Sequence, residues 1–260
     1  MSIAFVSKAI ASIWFLLPTF VRLRLPIEEV VFGFKGRFST FRWRLDSSDL
    51  IGRKYFSRNF RNYEPATQNY LKRFFGLRNL VCSTVLNVGA NVGFRPVWIS
   101  NNFSDVRFLL VEPIPRSLEV MRSNLSLNKI ENYVIYPFAT DSISGTLTIF
   151  ENREYSGLSS AIVETPYPVE VPRRRLDDCI DEQIDLIIID VEGYEIEVIK
   201  GLTKLILRYR PKIIVETSPN SIETLKDILK GYKYVGPVYL TQSPLFESQN
   251  KNVLFHSELG

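Results

Sequence analysis

TVLNVGANVG, residues 84–93, joins a strand pattern to a helix pattern across two glycines four residues apart. The β-branched Thr84, Val85 and Val88, with Leu86 between them, suit a buried strand. Gly89 and Gly93 let the backbone turn sharply into a helix whose free N–H groups would point at a ligand. Glycines at this spacing also serve ordinary strand-to-helix turns, so the segments that follow must decide whether a nucleotide-type pocket is built here.

Beyond Gly93 the chain alternates strand and helix patterns, which predicts an α/β fold with a mostly parallel sheet covered by helices on both faces. Strands are expected at 107–111, 133–139, 185–190 and 212–217, with 147–150 as part of an inserted hairpin. An antiparallel pair at 234–239 and 252–255 would close the sheet. Helices are expected at 94–101, with Pro96 in the first turn, and from Pro115 to about 124. Ile196, Val198, Ile199, Leu202, Leu205 and Ile206 recur at the spacing of one helix that Pro211 stops, and Ser221 would cap another running to about 230.

In this layout the carboxyl ends of successive strands carry Gly89, Glu112, Asp141, Asp190 with Glu192, and Glu216. Ligands of open parallel sheets bind at those ends. Glu112, closing the second strand, is placed to accept hydrogen bonds from both hydroxyls of a ribose. The competing role for any of these acids is a first-turn charge facing a helix dipole, worth about 0.3–1 kcal/mol. That role suits Glu119 and Glu195 better than Glu112 and Asp190.

Composition narrows the chemistry. The 260 residues are 45% apolar, enough for one large domain or a core domain with an extension. We divide the chain into a basic N-terminal α+β extension, 1–82, and a core domain, 83–260. Cys82 and Cys179 have no CxxC partner, which argues against a disulfide framework or a zinc site and favours a reducing, cytoplasmic setting. His256 is the only histidine, so acid–base chemistry falls to carboxylates. The net charge of +4 is unevenly spread: residues 1–83 hold 14 Lys/Arg against 5 Asp/Glu, and the remainder 18 against 23.

The basic third suits an anionic partner such as a lipid headgroup or a phosphorylated substrate. Within it, residues 3–21 are largely apolar. The uncharged run 9–21 would extend only about 20 Å as a helix against about 30 Å of hydrocarbon, and Pro18 interrupts it, so docking on the protein's own surface ranks first, a peripheral membrane contact second and a span third. In VVFGFKGRFSTFRWRL, 30–45, Phe41, Trp43 and Leu45 alternate with Arg42 and Arg44. Alternation puts aromatics and arginines on opposite faces of a strand, which argues for a hairpin and against RNA binding by stacking. Pro65 would open a helix with Tyr70, Leu71, Phe74 and Phe75 on one face.

YEP at 63–65, NVGANVGF at 87–94, VEPIP at 111–115, ATDSISG at 139–145, RRLDD at 174–178, IDVEGYE at 189–195 and RPKIIVE at 210–216 together resemble the FkbM-type methyltransferases. The resemblance runs over about 63–255, with DVEG its most specific element. It implies a Rossmann-like class I methyltransferase fold, S-adenosylmethionine as cofactor, and O-methylation of a hydroxyl on a sugar, glycan or secondary metabolite. Carried over by position, Asn87, Gly89, Ala90, Asn91 and Gly93 form the cofactor loop, Glu112 binds the ribose, and Asp141 lies near the adenine edge. Asp190 and Glu192 are the acids at the transfer site.

Two positions depart from the family pattern. Asn87 stands where aspartate is usual and Ile188 where lysine is usual. Asn87 lacks the charge that would help hold a cationic cofactor, and a charged hydrogen bond contributes roughly 1.5–3 kcal/mol against about 1 for a neutral one. The mechanism expected is in-line transfer to an alcohol oxygen, with positioning supplying most of the rate. Asp190 is the first candidate base, Glu192 the second, and Glu216 and Glu64 complete an acidic rim that could also take magnesium or calcium. The segments 46–63 and 151–172 would build the acceptor pocket. A non-catalytic binding protein and an RNA or protein methyltransferase are the alternatives.

Overall fold

The computed structural model describes residues 30–35, 40–45, 65–76, 83–153, 156–237 and 251–257. The apolar segment 3–21, the segment 46–63, Glu64 and Cys82 lie outside them. Strands β1 (Val30–Lys35) and β2 (Thr40–Leu45) form an antiparallel hairpin, and Pro65 is the first residue of helix α1 (Pro65–Gly76).

The glycine loop follows β3 (Ser83–Val88), every residue of which is buried, and leads into α2 (Phe94–Asn102). Next come β4 (Val106–Val111), α3 (Pro115–Leu127) and β5 (Tyr133–Tyr136). A small excursion follows: β6 (Ala139–Thr140), β7 (Gly145–Phe150) and β8 (Pro168–Arg174) make a separate three-stranded sheet. The chain then returns through β9 (Leu186–Ile189), α4 (Glu195–Lys200), α5 (Thr203–Tyr209), β10 (Lys212–Thr217), α6 (Ile222–Ile228), β11 (Tyr232–Pro237) and β12 (Lys251–Ser257).

The main sheet has the order β11-β12-β10-β9-β3-β4-β5, with β10, β9, β3, β4 and β5 parallel and β12 antiparallel to both its neighbours. Successive residues of a strand face opposite ways, and the two cores follow that alternation. Val85, Phe108, Leu110, Ile188 and Ile214 pack with α1, α2 and α3. Leu86, Leu109, Ile187, Ile189, Ile213 and Val215 pack with α4, α5 and α6. Each fully buried aliphatic side chain contributes about 1.5–3 kcal/mol, so this central block is the stable frame on which the loops are hung.

Three expectations are corrected. The strand expected at 133–139 ends at Tyr136, because Pro137 has no N–H to continue the ladder; Ala139 and Thr140 belong to the second sheet. The single helix expected across 196–206 is two helices broken at Gly201, where the Asp141 carbonyl presses so close that a Cβ would overlap it. Ser221 precedes α6 without a side-chain cap, its hydroxyl meeting that of Ser218 instead, and the helix ends at Ile228. Among the described residues no helix is long and apolar enough to cross a membrane.

The chain enters the sheet at β3, builds outward through β4 and β5, then crosses back to place β9 on the other side of β3. That reversal leaves a crevice at the carboxyl ends of β3 and β9, where open α/β sheets bind their ligands. Gly89 holds the crevice together. Its φ is +77°, and a Cβ would fall within the Asp190 carbonyl oxygen. Gly89→Ala is therefore expected to cost at least about 2 kcal/mol in urea unfolding, whereas Gly76→Ala, with nothing within 4 Å of its added Cβ, should stay within about 0.5 kcal/mol of wild type.

Candidate active site at the sheet switch point

The loop after β3 spends its own donors. The N–H groups of Gly89 and Ala90 both donate to the Val111 carbonyl at 3.0 Å, that of Gly93 to the Ala90 carbonyl at 2.9 Å, and that of Asn91 to Glu112 Oε2 at 2.8 Å. These four N–H groups, all ahead of the helix, are held by the protein itself. They lock the loop to the end of β4. Asn91 sits in the left-handed region at φ 48°, which asparagine tolerates better than most residues, and Gly93 at φ 82° turns the chain into α2 against Met121.

Glu112 is buried at 5% exposure, with Oε1 accepting from the Ile114 N–H at 2.9 Å and Oε2 from Asn91. Burial pushes its carboxyl up to about 7 despite those two hydrogen bonds. Asn87 lies in β3 between Leu110 and Ile188, on the sheet face shared with α1 and α2. It is 1% exposed, and neither Oδ1 nor Nδ2 has a hydrogen-bond partner among the described residues. A buried amide left so costs about 1–3 kcal/mol per group. Such a residue in a strand next to the crevice calls for a ligand.

Across the crevice, β9 ends in Asp190 and Glu192. Asp190 accepts from Arg95 Nη2 at 2.8 Å, an ion pair in which the arginine is nearly buried. Ile188 is fully buried apolar core, so the cation beside Asp190 comes from the first turn of α2 and not from β9. Glu192 is half-buried. Burial, then the negative charges of Asp190 and Glu195, push its carboxyl up to about 7. Glu216, from the end of β10, joins them, and carboxylate oxygens of Asp190, Glu192 and Glu216 lie within 4.8 Å of one another. Oxygen donors of this kind would suit magnesium or calcium, but Arg95 already supplies a cation to the group.

Asp141 belongs to a different network. It is 1% exposed and accepts from Arg173 Nη1 at 2.9 Å and from the Tyr194 hydroxyl at 2.8 Å. Burial alone would raise its pKa; the hydrogen bonds from Tyr194, Arg173, Ile143 and Ser142 hold it below the ordinary value. The same contact, with burial, pushes Tyr194 up to about 12. Asp141 thus clamps β8 to the loop that carries Glu192.

The structure therefore brings together Asn87, the Gly89–Gly93 loop, Glu112, Asp190, Glu192 and Glu216, and directs the carboxylate of Asp141 into a structural clamp. Sequence reasoning missed Arg95, Tyr194 and Ser160. The signal for Arg95 was present: it is a lone charge in the otherwise apolar start of a helix, FRPVWI. Ser160, whose hydroxyl donates to the Glu192 carbonyl at 2.8 Å, had no sequence signal at all.

Comparisons with known proteins point the same way. The chain is 24% identical over 169 residues to Methyltransferase sdnD of Sordaria araneosa, covering 51% of this chain and 65% of that one. Its fold matches the crystal structure of Methyltransferase FkbM from Methylobacillus flagellatus KT with a TM-score of 0.51 at 16% identity, over 69% of this chain and 45% of that one. The match thus spans less than two thirds of either relative. At that identity the structural match shows the fold, a Rossmann-like methyltransferase architecture. Residues 87–235, more than half of the sequence and including Asn87, Glu112, Asp141, Asp190, Glu192 and Glu216, match the methyltransferase FkbM domain, and the chain belongs to that family.

Proposed function

We propose that this protein is an S-adenosylmethionine-dependent O-methyltransferase whose acceptor is a hydroxyl on a sugar, glycan or secondary metabolite. The observation that carries the reading is Glu192, a carboxyl pushed up to about 7 at the carboxyl end of β9, directly across from the glycine loop. A base is most effective when its pKa lies near the working pH. Glu192 meets that condition first through burial and then through the negative charges of Asp190, itself held by Arg95, and Glu195.

The residues of the crevice fit the cofactor. Asn87 offers a buried amide with both atoms unsatisfied, Glu112 keeps lone pairs for ribose hydroxyls, and Gly89 lets the Asp190 main chain close against the loop. A glycine loop with its donors spent inward is no phosphate cradle, which agrees with a cationic cofactor over a pyrophosphate one. Bound S-adenosylmethionine supplies a methyl group made electrophilic by its positive sulfur. Glu192 would take the acceptor's proton, Asp190 and Glu216 would orient the hydroxyl, and the frame would hold the oxygen in line for attack. Asp141, through Tyr194 and Arg173, would fix the loop that carries Glu192 at the adenine side of the site. The basic N-terminal third supports an anionic membrane surface as a further partner.

Three outcomes test this. Glu192→Gln should lower methyl transfer by about 10²–10⁴-fold while calorimetric titration shows S-adenosylhomocysteine bound as in wild type. In wild type at saturating cofactor, kcat should rise with pH through about 7 and level off above it, because the base acts deprotonated. Asn87→Leu should leave the thermal midpoint of the apoprotein unchanged or higher, since it removes two unsatisfied buried groups, and should weaken S-adenosylhomocysteine at least about tenfold. Loss of midpoint with unchanged affinity would assign Asn87 to the fold alone.

A further inference from the structure

Between β7 and β8 the chain makes a loop that reaches from one side of the crevice to the other. Near its start, Ser156 Oγ lies 3.4 Å from Asn91 Oδ1 in the glycine loop. Four residues on, Ser160 is 3% exposed and its hydroxyl works in two directions. It donates to the Glu192 carbonyl at 2.8 Å and accepts from the N–H groups of Ile162 and Val163 at 3.1 and 3.3 Å. A hydroxyl that accepts from residues two and three ahead forces a local turn. The turn sends the next side chains outward, and Ile162 Cδ1 lies 3.1 Å from where a Cβ of Gly193 would be.

The residues turned outward are apolar. Leu158, Ile162 and Val163 are 48%, 60% and 63% exposed. Single exposed aliphatics are ordinary on protein surfaces, but three within six residues of a loop that is fastened to the base-bearing segment form a patch beside the reacting group. Fold stability does not call for them there, since the turn is made by Ser160 and its backbone partners. Ser160 on the Glu192 carbonyl and Ile162 against Gly193 put this apolar loop alongside the segment that carries Glu192.

We propose that the 156–163 loop is the apolar wall of the acceptor site, so that the methylated hydroxyl is borne on a molecule with a hydrophobic body, an alkyl chain or a fused-ring aglycone, and not on a fully hydrophilic glycan. The inference rests on the methyltransferase reading of the crevice and narrows its substrate class. It assigns Ile162, Val163 and Leu158 to specificity and leaves the chemistry to Glu192.

The test uses the full chain saturated with S-adenosylhomocysteine and three probes with one headgroup: methyl, hexyl and octyl β-D-glucoside, each below its micellar concentration, with dissociation constants from ligand-observed NMR. Full burial of a methylene tightens binding about fourfold and half-burial against an open wall about twofold. Octyl glucoside should therefore bind about fourfold tighter than hexyl glucoside, and methyl glucoside weakest. Ile162→Ser/Val163→Ser should flatten the series while calorimetric affinity for S-adenosylhomocysteine stays unchanged. Equal binding of the three probes, or a gradient that survives in the double variant, overturns the proposal. So does a shift of oligomeric state in the variant by light scattering, which would make the patch a contact between copies of the chain. Failure of wild type to bind S-adenosylhomocysteine would instead strike the cofactor reading, and the glucoside gradient can still be read on the apoprotein, so the two failures are separable.

Discussion

The backbone approach between Gly89 and Asp190 is the constraint on which the site depends. Two parallel strands, β3 and β9, end side by side, and their loops touch main chain to main chain because residue 89 has no side chain. That contact fixes the glycine loop and the acid-bearing loop relative to each other without any flexible side chain between them. Gly201 repeats the device behind the site, where the Asp141 carbonyl takes the space a side chain would need and the helix after β9 breaks into two. A site built by backbone contact is rigid where a transfer reaction requires alignment.

Electrostatics then sorts acids that look alike in the sequence. Asp141 and Asp190 each gain an arginine, Arg173 and Arg95, and are tied into ion pairs. For Glu112 and Glu192 burial outweighs every other influence, and each is pushed up to about 7. The paired acids hold structure and orient neighbours. The two lifted ones stand on different loops of the crevice, Glu112 at the end of β4 and Glu192 just past the end of β9.

The excursion from β6 to β8 links these features to recognition. Its small sheet stands apart from the main one, joined through Asp141 at one end and through Ser160 at the other. Ile149 and Val171 bury themselves with Ile114 and Ala139 in a small core of the insert, so the part that can change without disturbing the frame is the β7–β8 loop, where Leu158, Ile162 and Val163 are exposed. Ser160 holds the insert to the carbonyl of Glu192.

The sequence by itself determined the frame. Near-continuous apolar runs in β3, β4, β9 and β10 and the helical spacing between them specify a doubly covered parallel sheet, because burial on two faces demands such runs. It also located Glu112, Asp190, Glu192 and Glu216, since strand ends can be read from where the apolar runs stop. It placed strand ends poorly where one residue intervened, as Pro137 did in ending β5, and it read one helix where Gly201 makes two. Tertiary structure alone decided which acid meets a cation. Arg95 and Asp190 are 95 residues apart, Asp141 and Tyr194 are 53 apart, and Ser160 and Glu192 are 32 apart. Partners so distant in sequence are chosen by strand order, and strand order is set by packing between whole elements, which no local pattern records.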